Sequence, residues 1–124
     1  MSFDLETTYL ALDGKGGVIP MPVTEDFWVR IDGSPAATRS MMGVYPVLGD
    51  WAAWEMHPQG DEVLVLIDGH IDMLLDDGES YSVAEMRAGS TLIVPAGIWH
   101  RAIMRAPGRL LAFTYGPGTE HRPV

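Results

Sequence analysis

Residues 61–78 read DEVLVLIDGHIDMLLDDG, and this stretch sets the fold class. Two short apolar runs, Val63-Leu64-Val65-Leu66-Ile67 and Ile71-Asp72-Met73-Leu74-Leu75, each lead into an Asp-Gly pair. Glycine takes positive φ without steric cost, so Asp68-Gly69 and Asp77-Gly78 read as tight turns between strands. Successive side chains of a strand point to opposite faces. The run 63–67 is apolar on both, so both sides need cover. One side faces a barrel interior, and the other meets a second sheet, a loop or a partner chain. A homodimer is one expected cover.

The same punctuation extends outward over the chain. Fourteen glycines and nine prolines divide it into short pieces rich in Val, Leu, Ile, Met and Trp. Candidate strands fall at 27–31, 41–47, 51–56, 63–67, 71–75, 80–83, 91–94, 99–104 and 110–115. Turn signals lie between them, among them Gly49-Asp50, Pro58-Gln59-Gly60-Asp61, Pro95-Ala96-Gly97 and Pro107-Gly108. No stretch of helical length carries a 3.6-residue period, and 82–87 offers one helical turn at most. The expectation is an all-β sandwich or barrel in a single domain, 1–124. Residues 1–24 read as an arm packed along an edge or onto a second subunit. Residues 116–124 read as a loose tail.

Composition narrows the function classes. The chain is 47% hydrophobic and carries a net charge of −9, from 8 basic and 17 acidic residues. Nucleic acid and anionic membrane both call for a basic face, so neither is an expected partner. The absence of cysteine excludes disulfides, thiol nucleophiles and Cys-ligated metals. No run approaches the ~20 apolar residues of a membrane helix, and the acidic N-terminus lacks the form of a signal peptide. A cytoplasmic protein is the default reading.

The chemistry-bearing residues cluster in two places. Glu55 and His57 are two apart on a candidate strand and share a face. Glu62 opens the next strand, with Asp61 as its rival, and His100 follows the Pro95-Ala96-Gly97 turn. A closed barrel would bring Glu55, His57, Glu62 and His100 together inside. Two imidazoles with two carboxylates suit a divalent ion such as Fe(II), Mn, Ni, Co or Zn. By parity Trp51 shares the face of Glu55 and His57, while Trp54 and Trp99 point the other way. Ile98, Ala102 and Met104 share the parity of His100. With Leu64 and Leu66 they would wall an apolar pocket around a polar centre. His70, beside a turn, is expected to be exposed, and His121 is expected to be inert in the tail.

The spacing also resembles a known family. Gly49, five residues, Glu55-Met56-His57, four residues, Glu62, six residues and Gly69 resembles the first motif of the cupins. Gly89, five residues, Pro95-Ala96-Gly97, two residues and His100 resembles the second. The resemblance implies a double-stranded β-helix, a jelly-roll barrel with a metal at its mouth. The family's usual three histidines and one glutamate fall on Glu55, His57, Glu62 and His100. Glu55 stands where a histidine is usual, and Met104 where an asparagine often ends the second motif. The set then resembles the two-histidine, one-carboxylate site of non-haem iron enzymes.

The expected function is a metal-dependent protein acting on a small organic molecule, by dioxygenase, isomerase or lyase chemistry. Glu55 or Glu62 would move a proton where it is not a ligand. The alternative is a non-enzymatic module that binds or senses a small ligand, with or without metal.

Overall fold

The structure is a computed structural model that describes residues 2–124, so Met1 of the expected arm lies outside the described residues. Its regular structure is strand apart from two 3₁₀ turns: β1 (Thr8–Leu12), β2 (Val18–Pro22), β3 (Ser40–Val47), β4 (Ala53–Met56), β5 (Glu62–Asp76), β6 (Tyr81–Arg87), β7 (Thr91–Val94), β8 (Trp99–Tyr115) and β9 (Glu120–Pro123). All pairings are antiparallel.

Two long strands build the barrel. The second half of β8 pairs with β3 and with the start of β5, which also pairs with β7. The first half of β8 pairs with the end of β5, which also pairs with β6. β5 and β8 therefore pass from one sheet into the other. The crossing lies at Asp68-Gly69, where the register shifts and Gly69 has φ +94°. Asp68-Gly69 is thus a bulge within one strand rather than the expected tight turn, and Pro107-Gly108 bends the facing strand. The backbones come very close there: a Cβ on Gly69 would lie 2.7 Å from the Pro107 carbonyl oxygen. Asp77-Gly78 does turn the chain, between β5 and β6, with the Asp77 carboxylate accepting the Glu79 and Ser80 N–H groups.

Leu64, Leu66, Ile71, Met73, Met86, Ala102 and Leu110 fill the space between the sheets, each almost fully buried. Burying such side chains contributes about 1.5–3 kcal/mol each. Tyr9, Ala11, Met21, Phe27 and Met41 form a second, smaller cluster under the N-terminal hairpin.

Three expectations are corrected. Residues 27–31 are not a strand. Thr24 and Asp26 open a helical turn, with the Arg30 N–H donating to the Asp26 carbonyl, and Phe27 packs edge-on against Tyr9. Two 3₁₀ turns follow, Ile31–Gly33 and Pro35–Ala37. Residues 82–87 lie in β6 rather than in a helical turn, because the end of β5 supplies a pairing edge. The N-terminal arm folds as a regular hairpin laid along an edge, with β1 paired to β3 and Asp13 accepting the N–H groups of Lys15 and Gly17 at the tip. The tail is not loose, because its last residues form β9 against β4.

Candidate metal centre

Three side chains meet between the two sheets at one end of the barrel. His57 follows β4, and its carbonyl accepts the Gly97 N–H at 2.9 Å, which ties the first motif to the turn of the second. Glu62 is the first residue of β5, and His100 the second of β8. All three are buried. His57 Nε2 lies 3.2 Å from Glu62 Oε2, and His100 Nε2 lies 3.0 Å from Glu62 Oε1. One ligand atom from each residue falls within 4.8 Å of the other two.

The outer atoms of the group are engaged. His100 Nδ1 lies 3.1 Å from the Ile98 carbonyl, which can only accept, so Nδ1 carries the proton and Nε2 presents a lone pair. His57 Nδ1 contacts Thr119 Oγ1 at 2.7 Å, and the Thr114 hydroxyl donates to Glu62. The inner atoms His57 Nε2, Glu62 Oε1 and His100 Nε2 are buried without a hydrogen-bond partner. Converging buried acceptors with no donor are costly. A cation relieves that cost, so the residues present fit a divalent metal.

Burial pushes the Glu62 carboxyl up, but the close approach of the His100 and His57 imidazoles outweighs it and holds the pKa at about 2. Burial pushes His100 down, yet the adjacent Glu62 carboxylate prevails and holds its pKa above the ordinary value.

Beside the triad lies a cavity of about 830 Å³, walled by apolar residues such as Trp28, Tyr45, Trp51, Leu64, Leu110 and Ala112. Burial pushes the Tyr45 phenol up, helped by Tyr9, Glu62 and Glu55, so its hydroxyl stays protonated. Of the six residues expected to wall a pocket, Trp51 and Leu64 line this cavity. Leu66 and Ala102 are fully buried in the core, and Ile98 and Met104 pack against it.

Glu55 lines the cavity but does not join the three converging ligand atoms. Its carboxylate lies 3.3 Å from His121 Nε2, and its Cα is paired with that of His121 across β4 and β9. Asp61 turns away, its Oδ1 accepting the Ala96 N–H at 2.9 Å. His70 is partly buried and faces Glu85 at 3.6 Å. Trp54 and Trp99 point away from the cavity and flank the Arg122 guanidinium at 4.9 and 4.7 Å. Sequence reading missed Thr114, Thr119 and the placement of His121. Each depends on a distant strand pairing, and only the polar character of 114–121 could have flagged them.

The chain is thus a jelly-roll β-barrel with two histidines and a glutamate converging at its mouth. The cupin domain model matches residues 44–115, and the chain belongs to that family. No curated protein matches it. Among solved structures the fold is similar to a mutant of Bacillus subtilis oxalate decarboxylase, at TM-score 0.58 and 17% identity over 68% of this chain and 24% of that one. It is similar to the Fe(II) form of HppE at TM-score 0.52 and 23% identity, over 60% of this chain and 42% of the other. A hydroquinone 1,2-dioxygenase with Cd2+ and 4-hydroxybenzonitrile gives TM-score 0.53 and 18% identity, over 60% and 56%. The chain thus spans between a quarter and just over half the length of these proteins.

Proposed function

We propose that this cupin is a metal-dependent enzyme acting on a small, largely apolar organic molecule. The observation that carries the reading is the set of three buried acceptor atoms, His57 Nε2, Glu62 Oε1 and His100 Nε2, that converge without a donor. His57, Glu62 and His100 would hold the ion, which would supply Lewis-acid or oxygen-activating chemistry of the kind Fe(II), Mn, Ni, Co or Zn provides. Glu55, at the cavity wall and outside the triad, exchanges a proton with the bound molecule, and His121 is its partner.

The cavity bounds the substrate. Its volume of about 830 Å³ and its apolar walls suit an organic molecule rather than a polymer. The described residues that line it include the carboxylates of Asp32, Glu55 and Glu62 and neither Lys nor Arg. A second anionic group far from the metal would meet neither lysine nor arginine there. The neighbours named with Fe(II) and Cd2+ support this reading through the fold they share.

Elemental analysis of the purified protein, followed by turnover assays with added Fe(II) under O₂ and under argon, tests the proposal. Stoichiometric metal that disappears in His57→Ala and His100→Ala supports it. Equal metal content in parent and variants would end it. We also propose a homodimer, formed through the outer face of β5, β7 and β8. No helix of the described residues is long and apolar enough to cross a membrane.

A further inference from the structure

We infer that Thr119 is a positioning residue for His57, and that the C-terminal strand exists in part to deliver it. The inference rests on the metal reading above and goes beyond it, because Thr119 lies outside the matched family region, residues 44–115.

The argument starts from proton counting. The Thr119 N–H and hydroxyl both approach the Gly116 carbonyl, at 3.0 and 2.6 Å. A hydroxyl has one proton, and a carbonyl oxygen can only accept. The Thr119 proton is therefore donated to Gly116. The 2.7 Å contact between Thr119 Oγ1 and His57 Nδ1 must then have the imidazole as donor. A neutral imidazole has a single N–H. With that proton on Nδ1, Nε2 presents a bare lone pair toward Glu62 and His100. That is the tautomer a metal-ligating histidine needs when Nε2 is the ligand atom, and partners on the other nitrogen fix ring orientation.

The turn that carries Thr119 is itself held. Gly118 has φ +78°, and a Cβ there would lie 3.1 Å from Pro58 Cγ, so the turn rests on the loop that follows His57. Beyond it, β9 pairs with β4 from Met56↔Glu120 to Ala53↔Pro123. Arg122 pins this strand: its Nη2 lies 2.6 Å from the buried Asp76 carboxylate, and its guanidinium sits between Trp54 and Trp99. The four residues Pro58, Thr119, Arg122 and Asp76 thus connect a surface pin to the orientation of one imidazole.

The test uses the full chain with Thr119→Val, which keeps the branched shape and removes the hydroxyl, and Thr119→Ser, which restores it. Imidazole nitrogen–proton correlation spectra of the metal-free protein at about pH 8 report each tautomer. His57 is expected as Nδ1–H in the parent and in Thr119→Ser, and to lose that preference in Thr119→Val. His100, whose tautomer is set by Ile98, is the internal control for intact folding. Co(II) titration followed by visible absorption should show affinity about 10–100-fold weaker in Thr119→Val, with Thr119→Ser close to the parent. An Nδ1–H tautomer that persists in Thr119→Val overturns the inference. So does unchanged Co(II) affinity in that variant, or an equal loss in Thr119→Ser. A parent that shows the Nδ1–H tautomer yet binds no Co(II) rejects the metal reading, and the positioning role with it, while the hydrogen-bond assignment stands.

Discussion

Glu62 sits at the centre of the triad, with one carboxylate oxygen toward each imidazole, whereas Glu55 faces His121. The two glutamates therefore separate by experiment. Glu62→Gln removes the only charge among the three converging side chains and is expected to lower Co(II) affinity at least about 10-fold. Glu55→Gln is expected to keep affinity within a few-fold of the parent while slowing any turnover that needs a proton. Isothermal titration of both variants checks this, and equal losses of affinity would return Glu55 to the ligand set. Acid should also weaken binding, because the imidazole lone pairs bind either a proton or the metal. Since Glu62 holds the His100 pKa above its ordinary value, near 6.5 for a free side chain, the loss on lowering pH should begin above that value. Affinity that is flat from pH 8 to about 6 would contradict imidazole ligation.

At the scale of elements, the crossing in β5 and the pin on β9 invite separate tests. Gly69→Ala combines a positive φ with a Cβ 2.7 Å from the Pro107 carbonyl, whereas Gly14→Ala has a positive φ and open space around it. The first is expected to cost about 2 kcal/mol or more, and the second about 1–2. Urea denaturation giving equal costs would show that the close approach of β5 to β8 carries no constraint. For β9, hydrogen bonding from Arg122, and then from the Gly78 N–H, holds the Asp76 carboxyl below its ordinary value. A lowered folded pKa gives stability that is present above the unfolded pKa and lost as pH falls through the folded one. Asp76→Asn should therefore be less stable than the parent at pH 7, and the gap should close as pH falls below about 4. A gap of constant size down to the acid transition would mean that the pin contributes through shape alone. These two elements also mark what sequence reading reaches. The short apolar runs and the Gly and Pro between them made an all-β sandwich or barrel legible, the resemblance to cupins implied the jelly-roll, and motif spacing pointed to His57, Glu62 and His100 together with Glu55. Asp68-Gly69 reads as a hairpin signal because positive φ serves a bulge as well as a turn. The tail reads as loose because Glu120-His121-Arg122-Pro123 has no apolar face. Its strand depends on an ion pair and two aromatic faces drawn from distant elements, which no local pattern encodes.

The whole molecule presents one broad surface at odds with its charge. In a chain of net charge −9, the outer side chains of β5, β7 and β8 at Val63, Val65, Ile93, Leu111 and Phe113 are all uncharged. Val63 is paired with both Ile93 and Phe113, and Val65 with Leu111, so their side chains share one face of the sheet. The inward Leu64 and Leu66 are at most 1% exposed, whereas Ile93 is 61% and Ile67 36% exposed. The face ends at the exposed Asp68–Arg109 ion pair, which gives it a polar rim. A contiguous apolar face with a polar rim is the form of a self-complementary interface, and two-fold homodimers are the commonest closed assembly. Light scattering at micromolar concentration should therefore give twice the 13.6 kDa chain mass. Ile93→Lys should return the monomer with an unchanged circular dichroism spectrum, because that side chain is mostly solvated within one chain. A lysine there would bring a desolvated charge into the interface in addition to losing apolar contact, so the effect should be large. A parent of single-chain mass would leave the outer face of β5 to some other ligand and refute the dimer.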